Sequence, residues 1–378
     1  MVTQAAPRAL HDDNATSRQI HVVYVAPWID IGGTDQATLD WLRFVDRSRV
    51  SVSLVTTQES PNRQLKNAWD GVTEIWNLAE LVPAAHRPRV LRDLVARLDA
   101  DVVHVMNSRL GFDLAPAFKQ LDRPPVVVAQ MHAEEGAGAG YPRYVADLYC
   151  DCVDVFAPST AELARRLTEY GVPDRKIHMI PTGIDATRFT PREHTSDAGP
   201  LRVMFPARLA PEKDPRLFVD AMLELCHRGV DFVATMYGGP LESEVRTWAT
   251  DETLDERLIV KGTISDLTDE YGHHDIAVLT SRSEGLPLAL MEAMASELPV
   301  VAPTIDGIPE LVDETVGVLF SQRSAAAVAD AVCSLAVNAP RRRALGQQGR
   351  RRVLSTHSAA ASAAGFHELY LQLAEDRY

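Results

Sequence analysis

Two glutamates eight residues apart carry the most chemistry in this 378-residue sequence. They are Glu284 and Glu292, within Ser281-Arg-Ser-Glu-Gly-Leu-Pro-Leu-Ala-Leu-Met-Glu-Ala-Met-Ala-Ser296. From Leu286 to Ala295 every residue except Glu292 is apolar or small, and a helix that is apolar all round is a buried one. A carboxylate in that setting is costly unless something donates hydrogen bonds to it. Sugar hydroxyls, a ribose diol among them, are natural donors. Glu284 lies in the loop before the helix, at the carboxyl end of an expected strand, where open α/β sheets bind ligands. If the whole stretch were helical, the two carboxylates would stand about 12 Å apart along it, far enough to hold two different sugar rings. Pro287 suits the first helical position, and the free N–H groups of that helix start, near Leu286, can meet a phosphate. The structural alternative makes Glu284 a capping carboxylate and places Glu292 in a salt bridge.

Two cations complement this segment. Arg208 and Lys213 lie in Phe205-Pro-Ala-Arg-Leu-Ala-Pro-Glu-Lys-Asp214, a loop after a buried strand. The formal net charge is -14, and the C-terminal half is the more acidic one, so these residues belong to no general basic surface. Arginine grips phosphate bidentately and lysine acts on it as a point charge. An ordinary ion pair with Glu212 or Asp214 is the alternative. Gly32 and Gly33 follow the first strand and precede a helix, so the backbone there can take a positive φ or pass close to a ligand. A plain tight turn accounts for them equally, and the spacing is not that of a dinucleotide fingerprint. His132 ends another strand and leads into Ala133-Glu-Glu-Gly-Ala-Gly-Ala-Gly140, a glycine-rich loop expected to be mobile. Its alternative is a satisfied core or surface histidine. Glu134 and Glu135 in that loop could meet a cationic acceptor or simply be solvated.

The elements that must position these residues alternate short β-branched runs with longer amphipathic stretches, the pattern of βαβ units on a parallel sheet. Strands are expected at 21–26, 50–57, 102–106, 126–131, 153–157 and 177–181. Helices are expected at 35–45, 84–98 and 161–170. The stretch 189–200, with two prolines and a glycine among small polar residues, is the best linker. Beyond it the rhythm restarts, with strands at 201–205, 232–237, 258–261, 276–280, 299–302 and 317–320 and helices at 215–227 and 287–296. Residues 340–378 read as helical, their Arg341–Arg343 and Arg350–Arg352 clusters as a solvated face. Two α/β domains result, with the cleft between them as the default ligand site.

Here the motifs support a resemblance. Glu284-x7-Glu292, inside Ser-Glu-Gly-Leu-Pro…Met-Glu-Ala-Met-Ala, is similar to the E-x7-E signature of retaining glycosyltransferases of family 4. Phe205–Asp214 resembles that family's strand-end loop carrying an Arg and a Lys, and Asp30-Ile-Gly-Gly-Thr34 its N-terminal glycine loop. The resemblance runs in order from about His21 to Phe320. It implies the GT-B fold, two doubly wound Rossmann-like domains facing a central cleft: an acceptor-binding domain over 1–192, a nucleotide-sugar-binding domain over 193–356, and a C-terminal helix over 357–378 packing back on the first. It further implies that Arg208 and Lys213 bind the donor diphosphate, with Gly33, Gly285, Leu286 and Leu288 beside it. Glu284 would orient the sugar, Glu292 the ribose, and His132 the sugar near the reacting centre. Gly262, Thr263 and Ile264 would hold the nucleobase, while Gly32, Glu134 and Glu135 stand on the acceptor side. The chain departs from the family at Glu297, where glycine is common, at Asp306-Gly307 in place of Gly-Gly, and at Thr182, where asparagine is common. Asp306 could alter which sugar is accepted.

The expected activity is therefore transfer of a hexose from a nucleotide diphosphate, UDP before GDP, to a small-molecule, glycan or lipid acceptor, with retention and without a metal or other cofactor. A nucleotide-sugar epimerase, a sugar phosphorylase and a non-catalytic nucleotide-sugar binder are the rival readings on the same fold. The acidic balance argues against nucleic acid as a partner. No apolar run approaches the length of a membrane span, and the first residues lack the apolar stretch of a signal peptide, so a cytoplasmic location is expected. Membrane contact would be peripheral at most, around Arg87, Arg89, Arg92 and Arg97, which fit an ordinary helix face equally well. Cys150, Cys152, Cys226 and Cys333 match no zinc or redox spacing and read as buried free thiols. The sequence carries no sign of oligomeric state.

Overall fold

The computed structural model describes residues 19–132, 140–191, 199–251, 254 and 256–375. The chain divides into two compact units: one runs through Thr182 and resumes at Ala359, and the other is Gly183–Ser358.

The first unit is built on six strands: β1 Ile20–Ala26, β2 Val50–Thr56, β3 Glu74–Asn77, β4 Val102–Met106, β5 Val126–Met131 and β6 Val155–Pro158. All pair in parallel, in the order β3-β2-β1-β4-β5-β6. Alternation along β1 explains why both sheet faces are covered, since successive side chains point to opposite sides. Val22 and Tyr24 join one core with Trp41 of helix α1 (Gly33–Phe44). Val23 and Val25 join another with Leu91 and Leu94 of α2 (Arg87–Arg97). Helices α3 (Tyr141–Tyr149) and α4 (Ala161–Glu169) follow β5 and β6. Thr160 caps α4 by accepting the N–H of Leu163, satisfying one of the orphan donors of a helix start.

The second unit repeats the plan. Its strands are β7 Leu201–Phe205, β8 Phe232–Tyr237, β9 Leu258–Gly262, β10 Ile276–Val278, β11 Val300–Pro303 and β12 Gly317–Phe320. Their order, β12-β11-β10-β7-β8-β9, is the same winding read from the other edge, again all parallel. Helices α5 (Pro215–His227), α6 (Glu242–Asp251), α7 (Leu288–Ala295), α8 (Ala325–Ala336) and α9 (Ala339–Thr356) complete it. The last helix, α10 (Ala359–Glu375), belongs to the first unit, where Phe366 and Tyr370 are buried beside Trp41. Tyr370 Oη meets His104 Nδ1 at 2.5 Å.

Most strands fall within a residue or two of their expected positions, and the differences have physical causes. Residues 177–181 form no strand; Ile177 makes a single bridge to Phe156. The sequence pattern misses β3, a four-residue strand, half-buried throughout, at a sheet edge. The units change over at Thr182/Gly183, ahead of the 189–200 linker. Phe189 is buried, lies edge-on to Tyr271 at 5.8 Å between ring centroids, and lends its carbonyl to Arg350. Such contacts tie this stretch to the second unit. The C-terminal arginines are not simply a solvated face either. Arg342 is buried and donates to the carbonyls of Leu335 and Ala336, and Arg352 donates to that of Leu311 and pairs with Asp313. The four cysteines are free but half-buried, contrary to the expectation of buried thiols.

Candidate functional site

In a doubly wound sheet the strands on either side of the chain reversal splay their carboxyl-end loops apart and leave a crevice there. In the second unit those strands are β7 and β10. The loop after β7 carries Arg208 and Lys213, and the loop after β10 carries Glu284, so the topology brings together residues that lie far apart in sequence.

Lys213 Nζ stands 2.7 Å from Glu284 Oε1, and Ser281 Oγ donates to the same oxygen at 2.5 Å. Glu284 is only 9% exposed, a burial a carboxylate tolerates when a cation and a hydroxyl meet it. Its own N–H donates to Asp306 Oδ2 at 3.0 Å. Asp306 adopts φ 44°, a left-handed conformation unusual for a residue with a side chain. The family's frequent glycine is thus replaced by a residue that accepts strain and anchors the Glu284 backbone.

Beneath Lys213 a second network pins the two loops together. Asp214, at φ 50°, accepts from the N–H of Leu217 at the start of α5 and pairs with Arg282 at 2.8 Å and Arg323 at 2.6 Å. Arg323 also donates to the carbonyls of Thr280 and Ser281, and Thr280 Oγ1 donates to the carbonyl of Asp214 at 2.8 Å. Ser281 and Arg323 gave no sequence signal, and Asp214 only that of a possible ion-pair partner on its own loop, because these contacts join three different loops.

Arg208 pairs with Glu212 at 2.7 Å, as the alternative reading allowed, with the two side chains 62% and 43% exposed. A pair that open is worth little, so an anionic ligand can draw Arg208 away. Gly238, after β8, is what lets the chain pass this loop. A Cβ there would lie 2.8 Å from the Ala207 carbonyl oxygen and from Arg208 Cα.

At the other expected positions the local structure differs in part from the expectation. Pro287 is the cap residue of α7, which spans Leu288–Ala295, and Glu284 precedes it, so no continuous helix separates the two glutamates. Leu286 and Leu288 are buried and Gly285 is half-buried. Glu292 is half-buried, and its carboxylate accepts from Tyr271 Oη at 2.6 Å. The donor it requires is thus present in the protein. Tyr271 is fully buried and escaped the sequence reading. Of the three nucleobase positions, Gly262 (φ 75°) already gives its carbonyl to the N–H of Gly238, Thr263 is exposed, and Ile264 is half-buried.

In the first unit, Gly32 is extended (φ −175°) and precedes α1, of which Gly33 is the first residue. Neither takes the positive φ that adjacent glycines allow. The loop is instead organised by carboxylates. Asp30 pairs with Arg63 at 2.6 Å and accepts from Ser60 and from the N–H of Ile31, which hold its carboxyl below the usual range. Asp35, in the first turn of α1, is buried, and desolvation together with the charge of Asp30 pushes its pKa up to about 7.

His132 follows β5 and is buried. Its Nδ1 lies 3.1 Å from Thr182 Oγ1, and Ser159 Oγ donates to its carbonyl. Burial lowers its pKa to about 4, so the ring is neutral at physiological pH. Glu134, Glu135 and the rest of the glycine-rich loop up to 139 lie outside the described residues. Among the described residues no group of three or more His, Cys, Asp or Glu is placed to hold a metal, and no helix is long and apolar enough to cross a membrane.

Two family models match consecutive parts of this chain: Glycosyltransferase Family 4 over residues 31–188 and Glycosyl transferases group 1 over residues 187–352. The putative colanic acid biosynthesis glycosyltransferase WcaL of Escherichia coli (strain K12) is 33% identical over 186 residues, 47% of this chain and 46% of that protein. The chain therefore spans about half the length of that relative. The UDP-Gal:alpha-D-GlcNAc-diphosphoundecaprenol alpha-1,3-galactosyltransferase of Escherichia coli is 24% identical over 324 residues, 78% of this chain and 81% of that protein. Among solved structures, Anabaena HepE in complex with UDP superposes with a TM-score of 0.78 at 16% identity, covering 93% of this chain and all of that one. That likeness bears on the fold alone. The two family models meet close to the point where one α/β unit gives way to the other, and the chain belongs to the group 1 glycosyltransferases and has their GT-B fold.

Proposed function

We propose that this chain is a retaining hexosyltransferase that takes its sugar from a nucleoside diphosphate, UDP before GDP, and passes it to a hydroxyl of an acceptor. The observation that carries the reading is the meeting of Lys213 with Glu284 at the carboxyl ends of β7 and β10, with Arg208 on the same loop. Two of the proteins this chain resembles name uridine: HepE was solved with UDP, and the galactosyltransferase is named for UDP-Gal.

In this reading the bond from the anomeric carbon to the β-phosphate oxygen breaks and a bond to the acceptor oxygen forms on the same face. The acceptor's proton passes to the leaving phosphate, and the nucleoside diphosphate departs. Lys213 and Arg208 oppose the charge that grows on that phosphate, the kind of fixed electrostatic help that usually dominates such catalysis. These cations supply what a metal would otherwise supply, and the transfer is proposed to be metal-independent. Glu284, held by Ser281 and Asp306, aligns sugar hydroxyls, Glu292 takes the ribose beside Tyr271, and His132 is assigned to the sugar.

The test is a thermal-shift titration with UDP, GDP, ADP and TDP, run beside an Arg208→Ala/Lys213→Ala variant. A ligand at a hundred times its Kd adds about 2.7 kcal/mol of stability. UDP should stabilise the wild type and leave the variant unmoved. Stabilisation by none of the four, or equal stabilisation of the variant, would refute the diphosphate assignment.

A further inference from the structure

Thr182 and His132 meet at 3.1 Å through Oγ1 and Nδ1, and both residues are buried, Thr182 to 3% exposure. A threonine hydroxyl carries one proton, and a neutral imidazole carries one proton on either nitrogen. Among the described residues the only hydrogen-bond partner of the Thr182 hydroxyl is His132 Nδ1. If Nδ1 held the ring proton, it would donate to Oγ1, and the hydroxyl proton would be left buried without an acceptor. That orphan donor is unfavourable. With the proton on Nε2, the hydroxyl donates to Nδ1, and the ring N–H lies on the nitrogen that is not among the fully buried, unpartnered atoms of the described residues. Nε2 makes no hydrogen bond among the described residues. The ring cannot turn to relieve this without losing the Thr182 contact, and Ser159 Oγ donates to the His132 carbonyl.

We infer that Thr182 is a positioning residue that fixes the Nε2–H tautomer of His132, so that the imidazole presents a donor to a substrate oxygen. This rests on the glycosyl-transfer reading only for the substrate oxygen being a sugar hydroxyl or a phosphate. The tautomer itself is a property of the free protein. Because the ring stays neutral, it offers a directed N–H and takes no proton from the reaction.

The test has two arms that fail separately. In the full-length, histidine-labelled protein, long-range proton–nitrogen correlation spectra distinguish a protonated from a bare ring nitrogen, and His132 is assigned by its loss in His132→Gln. The wild type should show a protonated Nε2 and a bare Nδ1. Thr182→Ser should keep that signature, and Thr182→Val should shift it toward the other tautomer or a mixture. A wild type protonated at Nδ1, or an unchanged spectrum in Thr182→Val, overturns the inference; should the valine variant not fold, the wild-type spectrum alone still decides. In the kinetic arm, Thr182→Val should lower kcat about tenfold with donor KM changed less than about twofold, and Thr182→Ser should restore most of it. A shifted tautomer with unchanged kcat would overturn the role toward substrate while leaving the donor assignment of the preceding section untouched.

Discussion

Replacing Lys213 with alanine removes the cation from a carboxylate that has almost no water to turn to. Glu284 would keep the Ser281 hydroxyl and lose its ion pair. Breaking a buried pair by removing one partner costs about 3–5 kcal/mol. Here the lysine side chain is 19% exposed and that of the glutamate 7%, so some water follows the deletion. About 2–3 kcal/mol is the loss to expect. Arg208→Ala removes an equally charged neighbour from the same loop, but its pair with Glu212 is open to solvent and should cost less than about 0.5 kcal/mol. The two variants, alike in net charge, should therefore differ by about 2 kcal/mol, or roughly thirtyfold in the folding equilibrium. Urea denaturation followed by circular dichroism reads this as a midpoint lower by about 1 M at an m-value near 2 kcal/mol/M. Lys213→Ala/Glu284→Gln should recover most of the loss, since a neutral amide needs no counter-charge, and that non-additivity is the signature of the pair. Equal midpoints for the two single variants, or strict additivity in the double one, would refute the buried-pair account even if both single variants lose nucleotide binding.

Two further outcomes follow from the structure. Asp35 has its pKa pushed up to about 7, so its contribution to stability is complete below the unfolded value near 4 and is lost as the pH rises through 7. The buried His104, His132 and His274, lowered to about 3, 4 and 4, work in the opposite sense, adding stability as the pH rises toward 6.5. Asp35→Asn should thus gain on the wild type between pH 4 and 7, by on the order of 4 kcal/mol in all, and hold that gain at pH 8; a pH-independent difference in urea midpoints contradicts it. Glu297 sits at φ 62° in the turn after α7, a conformation costing a side-chain-bearing residue about 1 kcal/mol. Glu297→Gly should raise Tm with a net gain of about 0.5–1 kcal/mol, and a lowered Tm would show that its side chain contributes more than its backbone loses.

Much of the candidate site was legible because its residues sit at strand ends, and strand ends are easy to find. Val-rich runs such as 102–106 and 201–205 announce buried parallel strands, and glycines, prolines and charges crowd the loops that follow them. Glu284, Arg208, Lys213 and His132 were all reached that way. Their partners were not. Ser281, Tyr271 and Arg323 look like ordinary serine, tyrosine and arginine in sequence, because hydrogen-bond geometry across non-adjacent strands leaves no local periodicity. The open pairing of Arg208 with Glu212 was foreseen only as one of two possibilities, since relative position along the chain does not reveal solvent exposure.

What the sequence determined by itself was the alternation of elements, the doubling of one α/β plan and the kinds of group offered at its strand ends, for these depend on backbone propensity and side-chain period. Only the tertiary structure decided that Glu284 is met by Lys213, that Glu292 already has Tyr271, and that Thr182 touches His132. Each of these is a contact between residues the chain separates by many positions, and a contact at hydrogen-bond distance is set by strand order and packing, which short-range pattern does not encode.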